Sequence, residues 1–195
     1  VTGNTRRFGA SLDKIKQVVD VRDGEIMFGL NMVVHKGKTI FVGDTSVHEY
    51  PTSEQMAEIA ISTARVVRLF GFDPKVAFVS HSTFGQPLTS RTKHIRNAVD
   101  ILKERKVDFE FDGDMQPDVA LNPEYEELYP FSKIVGKANI LIMPGQHSAA
   151  ISYKMMKTLG DTKVIGPLLI GLGLPIEIAP LRSSTSELIN LASIA

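Results

Sequence analysis

Two apolar runs, "IMFGLNMVV" (26–34) and "TIFVGD" (39–44), flank the polar tetrapeptide "HKGK". Gly37 gives the turn its conformational freedom, so the pair predicts a β-hairpin. Further on, Met56, Ile59, Ala60, Thr63, Val66, Val67 and Phe70 recur with the period of one helical face. Thr52 with Gln55 three residues later makes a capping box before that helix, and Gly71 stands at its C′ position. "KVAFVS" (75–80) and "ANILIMP" (138–144) are short unbroken apolar runs, as expected of strands buried on both faces of a parallel sheet. Ile95, Ala98, Val99 and Leu102 predict a second helix over 93–104 and leave His94 on its exposed side. "VDFEFD" (107–112) alternates like a partly exposed strand, and a loop with a short helix follows it. "SAAISYKMMKTLG" reads as a helix stopped by Gly160, and "KVIGPLLIGLGLPIEIAP" as one or two further strands. Ser184 and Glu187 form the capping box of a last helix, "SELINLASIA".

Strands thus alternate with helices over most of the chain. That pattern predicts an α/β fold, a mostly parallel sheet with helices on both faces. Ligands of such sheets sit beyond the carboxyl ends of the strands, which directs attention to the loops at 43–49, 80–91, 112–118, 144–148 and 179–185.

Composition narrows the function. The 195 residues carry 22 basic and 22 acidic side chains and no cysteine. A formal charge of zero argues against nucleic acid or an anionic membrane as partner. The missing cysteines remove disulfides, thiolate nucleophiles and Cys-ligated zinc, and fit a cytoplasmic setting. "VIGPLLIGLGLPI" (164–176) is too short and too interrupted by Gly and Pro to span a bilayer. The opening "VTGNTRRFG" reads as a cut inside a longer protein.

Three groups of residues carry candidate chemistry. The loop of Ser80, His81, Ser82, Thr83, Phe84 and Gly85 could hold a phosphate or carbonyl oxygen, or simply satisfy its own backbone. Asp112, Asp114 and Asp118 lie within seven residues, but the EF-hand spacing fails, and a turn is the commoner use of such a cluster. The histidines at 35, 48, 81, 94 and 147 form no HxxxH or HExxH pair, so no metal site is expected. Ser82, His147 and Asp114 could assemble a triad on paper, without a nucleophile elbow to support it. Met155 and Met156 are adjacent on one helix and cannot both face one core.

Several of these blocks, in order and at matching spacing, resemble the phosphate acetyltransferase/butyryltransferase family. They are "VTGNTRR", "GDTSVHEYPTSEQMAEIAISTA", "PKVAFVSHSTFG", "FDGDMQPDVAL", "VGKANILIMP", "ISYKMMKTLG" and "IGPLLIGLGLPI". The resemblance implies two α/β lobes in the isocitrate/isopropylmalate dehydrogenase-like manner, one inserted in the other. Residues 30–170 would be the inserted lobe, and 1–29 with 171–195 an incomplete remnant of the first, leaving apolar surface bare near Ile176 and Ile178.

The departures from the family matter most. Active members carry Ser-Arg after the final strand and an acid in the next helix. Aligned from Pro175, the Ser-Arg pair falls on Pro180 and Leu181, and only the acid is retained, as Glu187. The lysine of the family's Ser-Thr-Lys-Gly loop falls on Phe84, a cysteine of some members on Thr45, and a first-helix arginine near Leu12 or Asp13. Acyl transfer to phosphate needs a guanidinium fork and oxyanion donors, and losing one such donor costs ~10²–10³ in rate. No catalytic residues are therefore expected. The pattern resembles the phosphotransacetylase-like C-terminal domain of large NADP-dependent malic enzymes. That likeness implies a regulatory domain binding acetyl-CoA, with NADP and a divalent metal held by N-terminal domains outside this chain. It places the ligand on His81, Ser82, Thr83, Phe84, Gly85, Asp112, Asp114, Gly166, Pro167, Arg182 and Ser183, and self-association on the helix of Ile151, Met155 and Met156. The alternative is an active phosphate acyltransferase in which Arg182 replaces the lost arginine.

Overall fold

A computed structural model describes residues 1–194. In chain order its elements are β1 (Thr2–Gly3), α1 (Phe8–Ile15), β2 (Phe28–His35), β3 (Lys38–Gly43), α2 (Ser53–Leu69), β4 (Lys75–Val79), α3 (Ser90–Glu104), β5 (Glu110–Met115), α4 (Pro117–Leu121), β6 (Ile140–Ile142), α5 (Gln146–Leu159), β7 (Thr162–Ile170), β8 (Ile178–Ala179) and α6 (Thr185–Ile194). Six strands form one sheet in the order β5-β4-β6-β3-β2-β7. The pairings β5/β4, β4/β6 and β6/β3 are parallel, while β2 runs antiparallel to both β3 and β7. β1 and β8 pair in parallel as a separate small sheet.

The unbroken apolar strands are explained by two cores, one on each face. Val76 and Phe78 of β4 and Ile140 and Ile142 of β6 pack with Met56, Ile59 and Ala60 of α2 and Ile95 and Leu102 of α3. The alternate residues Ala77, Val79 and Leu141 pack on the other side, with Ala120 of α4 and Ala149 of α5. A third cluster joins Leu12 and Ile15 of α1 to Ile178 of β8. The α2 capping box forms as expected, with Gln55 N donating to Thr52 Oγ1 at 3.2 Å and Thr52 N to Gln55 Oε1 at 2.8 Å.

Four expectations need correction. α3 starts a turn earlier, because Thr89 and Thr92 build a capping box of their own. His94 is half-buried rather than exposed, held by Ser53 and by the Pro51 carbonyl. The 107–112 strand is shifted, so that Asp112, Gly113 and Asp114 belong to β5 and not to a turn. Ile178 is fully buried and Ile176 half-buried, because α1 covers them; the bare apolar side chains nearby are Leu174 and Leu181.

One buried charge stands out. Glu177, just before β8, is 4% exposed and accepts from Leu169 N at 2.9 Å. Burial pushes its carboxyl up from 4.5 to about 7, against the pull of that N–H. Folding therefore favours the protonated form. This contribution is complete below pH 4.5 and is lost as the pH rises through about 7. In denaturant titrations, wild type should lose roughly 2–3 kcal/mol relative to Glu177→Gln between about pH 5 and about pH 8. Parallel pH profiles for the two proteins would refute this.

Candidate functional site

A cleft of about 170 Å³ lies between α5, β7 and α6. β7 supplies Val164, Ile165, Gly166 and Pro167, and Pro180 and Leu191 add apolar surface. Tyr153, Lys154, Lys157, Ser183, Glu187 and Asn190 supply the polar groups. Gly166 is required by geometry. Its φ is 122°, and a Cβ there would sit 2.7 Å from the Leu30 carbonyl oxygen. β7 approaches β2 this closely where the register of the pair slips, between Leu30 and Met32.

Behind Gly166 stands Asn31 of β2, fully buried. Its Oδ1 accepts from Thr45 Oγ1 at 2.8 Å, while its Nδ2 has no partner among the described residues. Burial raises the pKa of the Tyr153 hydroxyl, and the neighbouring Asn31 partly opposes that. Neither residue was anticipated as functional. A lone amide inside the apolar run "GLNMVV" is the signal that could have flagged Asn31.

The retained acid is fully engaged. Glu187 Oε2 accepts from Ser184 N at 2.8 Å, and its Oε1 accepts from Lys157 Nζ at 2.9 Å. The Ser184 N–H, and after it Lys157, holds the carboxyl down to about 2. Ser183 Oγ donates to the Pro180 carbonyl at 2.8 Å, and Ser183 N to Asn4 Oδ1 at 3.1 Å. Arg182 adopts φ 62° and is exposed at the turn, as is Leu181. Near this turn the acid and the serine hydroxyl serve the backbone.

The remaining predicted residues lie elsewhere. β4 and β5 are separated from β7 by β6, β3 and β2, which puts the β4 and β7 axes roughly 19 Å apart at ordinary strand spacing. Ser82 and Asp114 are both fully buried, with Ser82 Oγ donating to Asp114 Oδ2. Thr83 is buried and His81 exposed. Asp112 accepts from Gly113 N and from Lys133 N at 2.8 Å. Phe84 packs edge-on against Phe131, with ring centroids 4.8 Å apart, and Gly85 lies against Arg96. Phe84, Asp112, Arg96 and Lys133 line a separate groove of about 330 Å³. Of the predicted ligand residues, only Gly166, Pro167 and Ser183 share the β7 cleft. The paper triad also separates, since His147 stands 3.6 Å from Glu49 while Ser82 keeps Asp114.

The loop after β3 is organised by Asp44. This carboxylate is 2% exposed and accepts from Gly29 N (2.8 Å), Ser46 N (2.8 Å), Val47 N (3.2 Å), His48 N (2.8 Å) and His48 Nδ1 (2.8 Å).

Comparison with known proteins gives the family. The family model described as "Phosphate acetyl/butaryl transferase" matches residues 1–195. The chain belongs to that family. It is 45% identical over its whole length to an NADP-dependent malic enzyme of Rhizobium meliloti (strain 1021), of which it covers 26%. It is 31% identical over 180 residues to the phosphate acetyltransferase of Bacillus subtilis (strain 168), covering 91% of this chain and 56% of that one. A phosphotransacetylase from Streptococcus pyogenes superposes with a TM-score of 0.91 at 29% identity, over 98% of this chain and 60% of that one. The chain thus spans about a quarter of the malic enzyme it matches.

Removing the Asp44 carboxylate would leave four backbone N–H groups without their acceptor. Asp44→Ala should cost about 3–5 kcal/mol in chemical denaturation. A loss below about 1 kcal/mol would show that water replaces the carboxylate.

Proposed function

We propose that this chain is the non-catalytic, regulatory part of a malic enzyme, and that it binds acetyl-CoA and self-associates. The observation that carries this reading is the turn after β8. Pro180 and Leu181 stand where the resemblance places Ser-Arg, and Glu187 is spent on Ser184 and Lys157. Pro180 offers no N–H and Leu181 no charge, so an oxyanion and a phosphate dianion would both lack their donors. The oxidative decarboxylation of malate, with its NADP and divalent metal, would then belong to other domains of the longer protein.

The cleft suits the acyl end of a thioester. Val164, Ile165 and Pro167 offer an apolar wall, and Lys154 offers a cation beside it, Lys157 being paired with Glu187. At about 170 Å³ the cleft is smaller than a whole small-molecule site, so only the acyl end of the thioester would enter it and the rest of the CoA would lie outside. Titration calorimetry of the intact protein should show acetyl-CoA binding, weakened about tenfold by Lys154→Glu through charge reversal. A coupled assay for acyl transfer from acetyl phosphate to CoA should show no turnover. Robust turnover with Pro180 and Leu181 in place would establish the competing reading, a working acyltransferase.

Self-association rests on α5. Ile151, Met155 and Leu159 are 57%, 54% and 81% exposed and fall four residues apart, while Met156 turns toward the core. The chemistry of this stripe suits a second copy of the same surface. Met155→Asp should shift the mass measured by light scattering from dimer to monomer, with an unchanged circular dichroism spectrum. An unchanged mass would remove α5 from the interface.

A further inference from the structure

A second cavity, of about 570 Å³, has no part in the reading above. It opens at the carboxyl ends of β3 and β6, which are parallel neighbours. The chain leaving β3 passes through α2 onto one face of the sheet, and the chain leaving β6 passes through α5 onto the other. Where the exits of adjacent parallel strands diverge in this way, the backbone leaves a crevice outside the strand ends, and α/β proteins place ligands there. A cavity of this volume is in the range of small-molecule sites.

Its walls are held in place from three sides. The segment after β3 is fixed by Asp44 and continues into Glu49, Tyr50 and Pro51. The turn after β6 is stitched to it, since Gln146 N donates to the Glu49 carbonyl at 3.2 Å. Gly145 comes so near that a Cβ would lie 2.6 Å from the same carbonyl oxygen, so only glycine permits the approach. From α3, His94 Nε2 donates to the Pro51 carbonyl at 2.9 Å. The cavity is therefore preformed and owes nothing to a mobile lid.

The side chains facing it have a defined chemistry. Tyr50 is 65% exposed, and the His147 ring lies nearly parallel to it, at 12°, with centroids 6.5 Å apart. The Arg91 guanidinium stands 5.9 Å from the Tyr50 ring centroid. Among the described residues Arg91 pairs with no carboxylate, unlike Arg65, Arg68 and Arg105. Glu49 lies beside His147 at 3.6 Å. An exposed aromatic ring, a guanidinium over it that pairs with no carboxylate among the described residues, and a carboxylate beside an imidazole line one crevice and match three parts of one ligand. They match a heterocyclic base, a phosphate and sugar hydroxyls respectively.

We infer that this crevice is a nucleotide-binding site, with the base against Tyr50 and the phosphate on Arg91. The site is distinct from the β7 cleft. His147 and Tyr153 are six residues apart on α5, about 9 Å along its axis, and no residue lines both cavities. A bare inorganic anion would use Arg91 alone and leave the aromatic plane idle, so the nucleotide is the better fit.

The test is calorimetry of the full chain with ADP and, separately, with inorganic phosphate. ADP should bind more tightly than phosphate. Arg91→Ala should weaken ADP about tenfold and Tyr50→Ala severalfold, whereas Lys154→Glu in the β7 cleft should leave ADP unaffected. Arg91 and Tyr50 are both exposed, so unchanged melting temperatures should accompany the losses. Three results would each overturn the inference: no ADP binding up to about 5 mM, ADP affinity indifferent to both substitutions, or phosphate binding as tightly as ADP.

Discussion

The carboxylate of Asp44 is the constraint on which the segment leaving β3 rests. It sits at the tip of β3, almost out of contact with water, and its cost of burial is met by four backbone N–H groups and one imidazole. Those donors come from two directions. Gly29 N ties the carboxylate back to β2, while Ser46, Val47 and His48 wrap the following segment around it. The wrapping sets where Thr45 points, and Thr45 in turn bonds Asn31 behind Gly166. It also sets where Glu49 and Tyr50 emerge. A hydrophobic side chain could fill the same volume but could not dictate backbone direction, because dispersion is not directional.

At the turn after β8 the polar side chains do structural work. Glu187 would be a good catalytic carboxylate only if its lone pairs were free. Here Ser184 and Lys157 bond both of its oxygens and hold its pKa at about 2, so it is a poor base near neutral pH. Ser183 is in a similar position, since its hydroxyl closes onto the Pro180 carbonyl. Glu177 is the opposite case. It is a buried carboxyl near β8 whose pKa has risen to about 7, yet it bonds only the backbone of β7 and reaches no cavity described above. A perturbed pKa therefore marks burial here, not catalysis.

Much of this was legible from periodicity. The α2 helix, the hairpin of β2 and β3, the buried strands β4 and β6 and the capping box of α6 all follow from local patterns, because each signal lies within a few residues of its effect. The β5 span differs from the 107–112 expectation for a physical reason. Asp112, Gly113 and Asp114 have turn propensity, but Ser82 and the backbone of Lys133 receive the two carboxylates, and those partners are 32 and 21 residues away. The cleft was only partly legible on the same grounds. Strand-end loops look equivalent in sequence, whereas the sheet order β5-β4-β6-β3-β2-β7 puts the 80–85 loop and Gly166 far apart. Sheet order is set by which strands bury which faces together, a non-local choice that no short window contains.

One element links the separate surfaces. α5 is a single helix of 14 residues, about 21 Å long, that places His147 and Ser148 in one cavity and Tyr153, Lys154 and Lys157 in the other. Its outer stripe of Ile151, Met155 and Leu159 faces away from the core that Ala149 and Met156 join. Only one residue of the helix is fully buried, so it is held to the sheet by a modest apolar contact and by its two ends. A rod of that kind shifts as a unit more readily than it bends, since bending would break its own hydrogen-bond ladder while sliding costs only side-chain repacking. An occupant of any one surface that displaces α5 must therefore change the free energy of binding at the other two. Linkage requires the effect to be equal in both directions. Coupling between any two of these surfaces would then need no chain of relayed contacts through the interior, because the helix itself is the shared wall.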